Sequence, residues 1–117
     1  MQKSPVLINS TKFGEIIING KPYDSDMTVY WSGKLSYRSK EHLIEMGEIA
    51  KILMAEPEII VIGMGQSGGL RIAPEVEHWT KNKGVQLYIE ITPKAVEIFN
   101  AFASEGKKVV GIFHVTC

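Results

Sequence analysis

The chain predicts a single α/β domain, spanning residues 1–117. An antiparallel β-hairpin front half is joined to a βαβαβ back half whose strands form a mainly parallel, layered sheet. Three observations carry the prediction. Two hairpin signals, Asn19-Gly20 and Ser32-Gly33, fall in the first third of the sequence. Apolar runs at 59–62, 85–91 and 109–115 then alternate with amphipathic stretches of helical length. The connections between these runs are short and each holds a helix, which implies parallel pairing with right-handed crossovers.

Asn19-Gly20 lies between apolar-rich segments at 15–18 and 21–23, and supplies the positive φ values of a type I′ turn. Ser32-Gly33 similarly separates 27–31 from 34–38. Ser39 is placed to cap a helix over about 40–55, with Leu43, Met46, Ala50 and Leu53 on one side, and Pro57 stops it. Gly47 inside that helix marks a close helix contact. The run Ile59-Ile60-Val61-Ile62 is continuously apolar, as expected for a strand covered on both faces. Pro74, with Glu75 and Glu77, opens a helix that ends at Gly84. A strand over 85–91 leads to Thr92 as N-cap and Pro93 in the first turn. The helix that follows buries Ala95, Val96, Phe99, Phe102 and Ala103, and Gly106 ends it. The run 109–115 is the last strand.

Composition narrows the function classes. Thirteen basic residues balance thirteen acidic ones, so there is no field to drive binding along a phosphate backbone, and nucleic acid is not expected as a partner. Lys34, Arg38 and Lys40, with Tyr30, Trp31 and Tyr37 interleaved, read as hairpin aromatics beside solvated charges. No apolar run reaches the length that spans a bilayer, so no membrane partner is expected. The one cysteine, Cys117, excludes an internal disulfide framework, and with no signal-like start the expected compartment is the cytoplasm. His42, His78 and His114 have no ligand spacing, so no metal and no cofactor is expected. An open edge among the front-half strands leaves homodimerisation as an option.

The segment Gly63-Met64-Gly65-Gln66-Ser67-Gly68-Gly69 is the predicted functional edge, because glycines let a ligand or partner approach the backbone. Gly63, Gly65 and Gly68 match a dinucleotide fingerprint, with Glu90 further on. However, the helix begins only at Pro74, outside the glycines where that motif needs it. Gly65-Gln66-Ser67-Gly68-Gly69 also fits Gly-x-Ser-x-Gly, and Ser67, Glu90 and His114 follow the order of a hydrolase triad. In that alternative His114 would deprotonate Ser67 and Glu90 would orient the imidazole. The expectation preferred here is a ligand site without catalytic residues. It consists of Gly63, Gly65, Gln66, Ser67, Gly68 and Gly69, with Arg71 as the nearby guanidinium and Thr92 as a hydroxyl at a helix start.

Several segments together resemble one family. They are Ile60-Val61-Ile62-Gly63-Met64-Gly65, Thr92-Pro93-Lys94-Ala95, Phe99-Asn100-Ala101, Glu105-Gly106-Lys107-Lys108-Val109 and the ending Gly111-Ile112-Phe113-His114-Val115-Thr116-Cys117. Phe13-Gly14, Gly20, Tyr23 and Asp26 stand in matching order in the front half. The chain resembles the Mth-type small-domain family, which includes the adipogenesis-associated domain protein and the assembly factor of respiratory complex one. The resemblance implies a compact α/β domain with an assembly or regulatory role and no agreed catalytic residues. Its shared positions here are Gly63, Gly65, Thr92, Ala95, Asn100, Gly106, His114 and Cys117. The expected function is therefore a binding or assembly module whose glycine loop holds a protein partner or a small anionic ligand. A small-molecule enzyme at the same loop is the alternative.

Overall fold

The computed structural model describes residues 5–38 and 42–116. Ser39, Lys40 and Cys117 lie outside the described residues, and with them the predicted cap of the first helix. The chain opens with strands β1 (Ile8–Lys12), β2 (Glu15–Ile18) and β3 (Lys21–Tyr23), which form a three-stranded antiparallel sheet. Asn19 and Gly20 both have positive φ, as the type I′ turn requires. Strands β4 (Met27–Tyr30) and β5 (Leu35–Tyr37) form the second hairpin. Its loop is three residues long, with Gly33 in the left-handed position.

The rest of the chain runs β6 (Leu43–Ile44), α1 (Met46–Leu53), β7 (Ile59–Met64), β8 (Arg71–Ile72), α2 (Pro74–Asn82), β9 (Gln86–Glu90), α3 (Thr92–Ser104) and β10 (Val109–His114). The central sheet has the order β5-β4-β10-β7-β9. The βαβαβ half supplies the parallel ladders of β10 with β7 and of β7 with β9. The front-half hairpin extends that sheet through an antiparallel ladder of β4 with β10, so the sheet is mixed.

Period two along the strands assigns each side chain to a face. Ile59 and Val61 of β7, with Val109 and Phe113 of β10, pack under α3 and the three-stranded sheet. Ile60, Ile62, Val110 and Ile112 pack on the other side with Ile49 and Ile52 of α1 and Val76 of α2. Both faces of β7 and β10 are therefore buried, which explains their unbroken apolar sequence.

The first helix departs from the prediction. It starts at Met46 because Leu43 and Ile44 pair with Arg71 and Ile72 in a two-strand parallel ladder. Its buried residues are Ile49 and Ile52, while Leu43 is exposed in β6. Gly47 marks no close contact, since a Cβ there would have no atom within 4 Å. Thr92 is the first residue of α3 and Ile91 occupies the cap position. No helix among the described residues is long and apolar enough to cross a membrane.

Candidate functional site

The carboxyl ends of β7 and β10 meet the start of α3, and the fully buried Thr92 joins them. The Gly65 N–H donates to Thr92 Oγ1 at 2.9 Å, that hydroxyl donates to the His114 carbonyl at 2.6 Å, and the Thr92 N–H donates to the Gly65 carbonyl at 3.0 Å. Gly63 is glycine because the helix comes so close. A Cβ there would stand 2.8 Å from Thr92 Oγ1 and 3.2 Å from Phe113 Cδ1. The Thr92 hydroxyl thus welds three elements together, which corrects the expectation that it is open to a ligand.

Beyond Gly65 the loop rises to the surface, and Ser67, Gly68 and Gly69 are exposed. The chain is recaptured when the Leu70 N–H donates to the Met64 carbonyl at 2.8 Å and the Arg71 N–H to the His42 carbonyl at 2.7 Å. Between these anchors the amides of Gln66, Ser67, Gly68 and Gly69 meet no acceptor among the described residues. Gln66 reaches back through its side-chain amide to Thr11 Oγ1 at 3.2 Å. Arg71 is exposed and has no ion-pair partner among the described residues.

His114 lies on the α1 side of the sheet, fully buried, in a polar network absent from the sequence reading. Its Nδ1–H donates to Asp26 Oδ2 at 2.5 Å. Arg38 Nη1 donates to the same oxygen at 2.9 Å, and the Val115 N–H donates to Asp26 Oδ1 at 3.0 Å. Arg38 also holds Glu48 through Nε at 2.5 Å and Nη2 at 3.2 Å, and donates to the Leu43 carbonyl at 3.1 Å. His114 Nε2 faces Thr116 Oγ1 at 3.4 Å, and the His42 ring stands edge-on to it. The network ties the entrance of β4, the exit of β5, α1 and the end of β10 into one unit. An acidic residue entering the apolar strand Met27-Thr28-Val29-Tyr30 was the available signal for Asp26.

The triad Ser67, Glu90 and His114 is not assembled. Glu90 pairs with Gly63 on β9, so β7 separates it from β10 and from His114. Asp26 holds the imidazole instead, and the ring has no exposed face from which to serve Ser67. The fingerprint glycines precede β8 rather than a helix. Arg38, expected as a solvated charge beside the hairpin aromatics, is instead locked inside, while Lys34 sits over the Tyr30 ring at 5.1 Å. Among the described residues no three His, Cys, Asp or Glu side chains are arranged to hold a metal ion.

Residues 8–114 match a family described as "Protein of unknown function (DUF498/DUF598)". The chain belongs to this family of Mth938-like domains. It is similar to a conserved hypothetical protein from Pyrococcus horikoshii OT3, with a TM-score of 0.84 and 27% identity over 94% of this chain and 98% of that one. MT938 gives a TM-score of 0.82 and 27% identity over 96% and 99% of the two chains. A Mth938-like domain from Bordetella pertussis shares the fold, with a TM-score of 0.70 and 16% identity over 99% of this chain and 90% of that one.

In this Mth938-like domain most of the positions quoted for the resemblance have structural duties. Asn100 reaches from α3 to both backbone groups of Ile8, accepting at 3.0 Å and donating at 2.8 Å, and so fastens β1. Gly106 ends α3 with φ 79°. Ala95 packs in the core, and Thr92, Gly63 and His114 have the roles described above.

Proposed function

We propose that this Mth938-like chain is a binding module whose loop from Gly65 to Arg71 holds an anionic group, without catalysis. One observation carries the reading. Four consecutive amides, of Gln66, Ser67, Gly68 and Gly69, meet no acceptor among the described residues, and Arg71, two positions on, has no ion pair among them. Backbone donors in such a run, with a guanidinium beside them, suit a phosphate or carboxylate. The burial of His114 and its engagement with Asp26 argue against the hydrolase alternative.

The anionic group has two sources, a small molecule or an acidic side chain of a protein partner. Thermal unfolding against inorganic phosphate and a panel of phosphorylated and carboxylated metabolites tests the first. A ligand at about 100 times its dissociation constant adds roughly 2.7 kcal/mol, or about 10 °C at this size, and the shift disappears in Arg71→Ala. A silent panel together with a partner that co-purifies with the parent but not with Arg71→Glu assigns the protein source. If neither signal depends on Arg71, the reading is wrong.

A further inference from the structure

A cavity of about 320 Å³ lies between α1 and the β4–β5 hairpin, and shares no lining residue with the glycine loop. Its floor is the sheet. Thr28 and Ser36 are register partners across β4 and β5, so their side chains stand about 5 Å apart on one face. Tyr30 follows two residues along the same face. Thr28 is 6% exposed and Tyr30 9%. Neither hydroxyl has a hydrogen-bond partner among the described residues, yet neither is sealed away, because both residues line the cavity. Both hydroxyls therefore open onto the cavity and give its floor two polar groups free to bond an occupant. Burial also raises the Tyr30 phenol above its ordinary pKa, which keeps it a donor.

The rim carries two opposite charges. Glu45 precedes α1 and Lys51 lies in its last turn, and neither is in an ion pair among the described residues. They stand six positions apart, a rise of about 9 Å along a helix axis between their backbones. Arg38 and Glu48 also line the cavity, but both are engaged, Glu48 with Arg38 and Arg38 with Asp26 as well. Gly47 lies on the rim with open space where a side chain would stand.

We infer that this groove binds a small zwitterion of dipeptide length, with its carboxylate at Lys51, its ammonium at Glu45 and its amide over the hydroxyls of Thr28 and Tyr30. A simple anion or a polyol leaves one rim charge unmatched. A single α-amino acid holds its charges too close together to meet both.

The test is a titration of the isotope-labelled full chain, followed by backbone amide signals in nuclear magnetic resonance. The probes are glycylglycine, N-acetylglycine, which lacks the ammonium, and glycinamide, which lacks the carboxylate. Glycylglycine is expected to perturb the amides around Thr28, Ser36, Gly47 and Lys51, with each half-ligand at least tenfold weaker. Gly47→Leu fills the groove from open space and improves helix propensity. It should abolish the perturbation without lowering the thermal midpoint. Thr28→Val gives up no internal hydrogen bond, and should weaken binding at least tenfold in a folded protein. The site is refuted if glycylglycine leaves these amides unmoved or acts equally on Gly47→Leu. Equal binding of the half-ligands refutes the zwitterion.

Discussion

Thr92→Val tests whether one hydroxyl joins the two central strands to α3. Valine keeps the shape of threonine and removes the oxygen that accepts from Gly65 N–H at 2.9 Å and donates to the His114 carbonyl at 2.6 Å. Each such bond contributes about 1 kcal/mol net, and a buried group left without a partner costs about 1–3 kcal/mol. With Thr92 fully buried, water does not replace the lost partner. The expected loss is about 2–4 kcal/mol, or a fall in Tm of roughly 8–16 °C for a domain of this length. Thr92→Ser keeps the hydroxyl and gives up one methyl, at a cost of about 1 kcal/mol. Urea unfolding read from the fluorescence of Trp31 and Trp79 gives both values, provided the slope with denaturant is unchanged. The weld is refuted if valine is within about 0.5 kcal/mol of the parent, or is tolerated better than serine.

Three further outcomes follow from the same contacts. Asp26→Asn leaves Arg38 without its buried carboxylate and turns an amide donor toward Arg38 or His114, so it should cost about 3–5 kcal/mol in urea unfolding. Glu48→Gln, at a side chain 26% exposed, should cost clearly less, and the reverse order contradicts the network as described. Gly63→Ala drives a Cβ to 3.1 Å from the Thr92 Cα, and should lose about 1–3 kcal/mol by the same measurement; a neutral result would show that α3 can retreat. Burial raises the Tyr30 pKa, so the folded state favours the protonated phenol. That stability is complete below the unfolded value of about 10 and is lost as pH rises through the raised value. Tyr30→Phe should therefore unfold with a shallower alkaline decline than the parent, and parallel curves would show that the phenol titrates alike in both states.

The parts legible in the sequence were those whose cause is local. Asn19-Gly20 needs only its own φ preference, and β7 and β10 show their double burial as unbroken apolar runs. Strand β1 was illegible because only Ile8 of Ile8–Lys12 is buried. It is held by backbone pairing with β2 and by the amide of Asn100, neither of which leaves a periodic trace. The start of α1 was misplaced for a similar reason, since Leu43-Ile44 pairs with a strand far along the chain. His114 stands out in the sequence as the histidine near a strand end, but chain order offers Glu90 as its partner. The sheet order interposes β7 and brings Asp26 from 88 residues away across the antiparallel side.

The glycines show how one motif can hold two unrelated requirements. Gly63 is set by packing: its backbone lies on β7 and the missing Cβ admits Thr92. Gly65 and Gly68 are set by conformation, with φ of 101° and 82°, and they turn the chain out of the sheet and back. Packing at the first and turning at the next two produce the spacing Gly63-x-Gly65-x-x-Gly68 without a phosphate having shaped it, which explains a fingerprint match with no helix behind it. What those two requirements leave unexplained is the stretch between them. Neither demands that the amides of Gln66, Ser67, Gly68 and Gly69 lack an acceptor among the described residues, nor that Arg71, two positions on, lack an ion pair among them. Substitution at Gly63 should therefore act on stability, and substitution at Arg71 on binding. That separation distinguishes a ligand loop from a turn that merely resembles one.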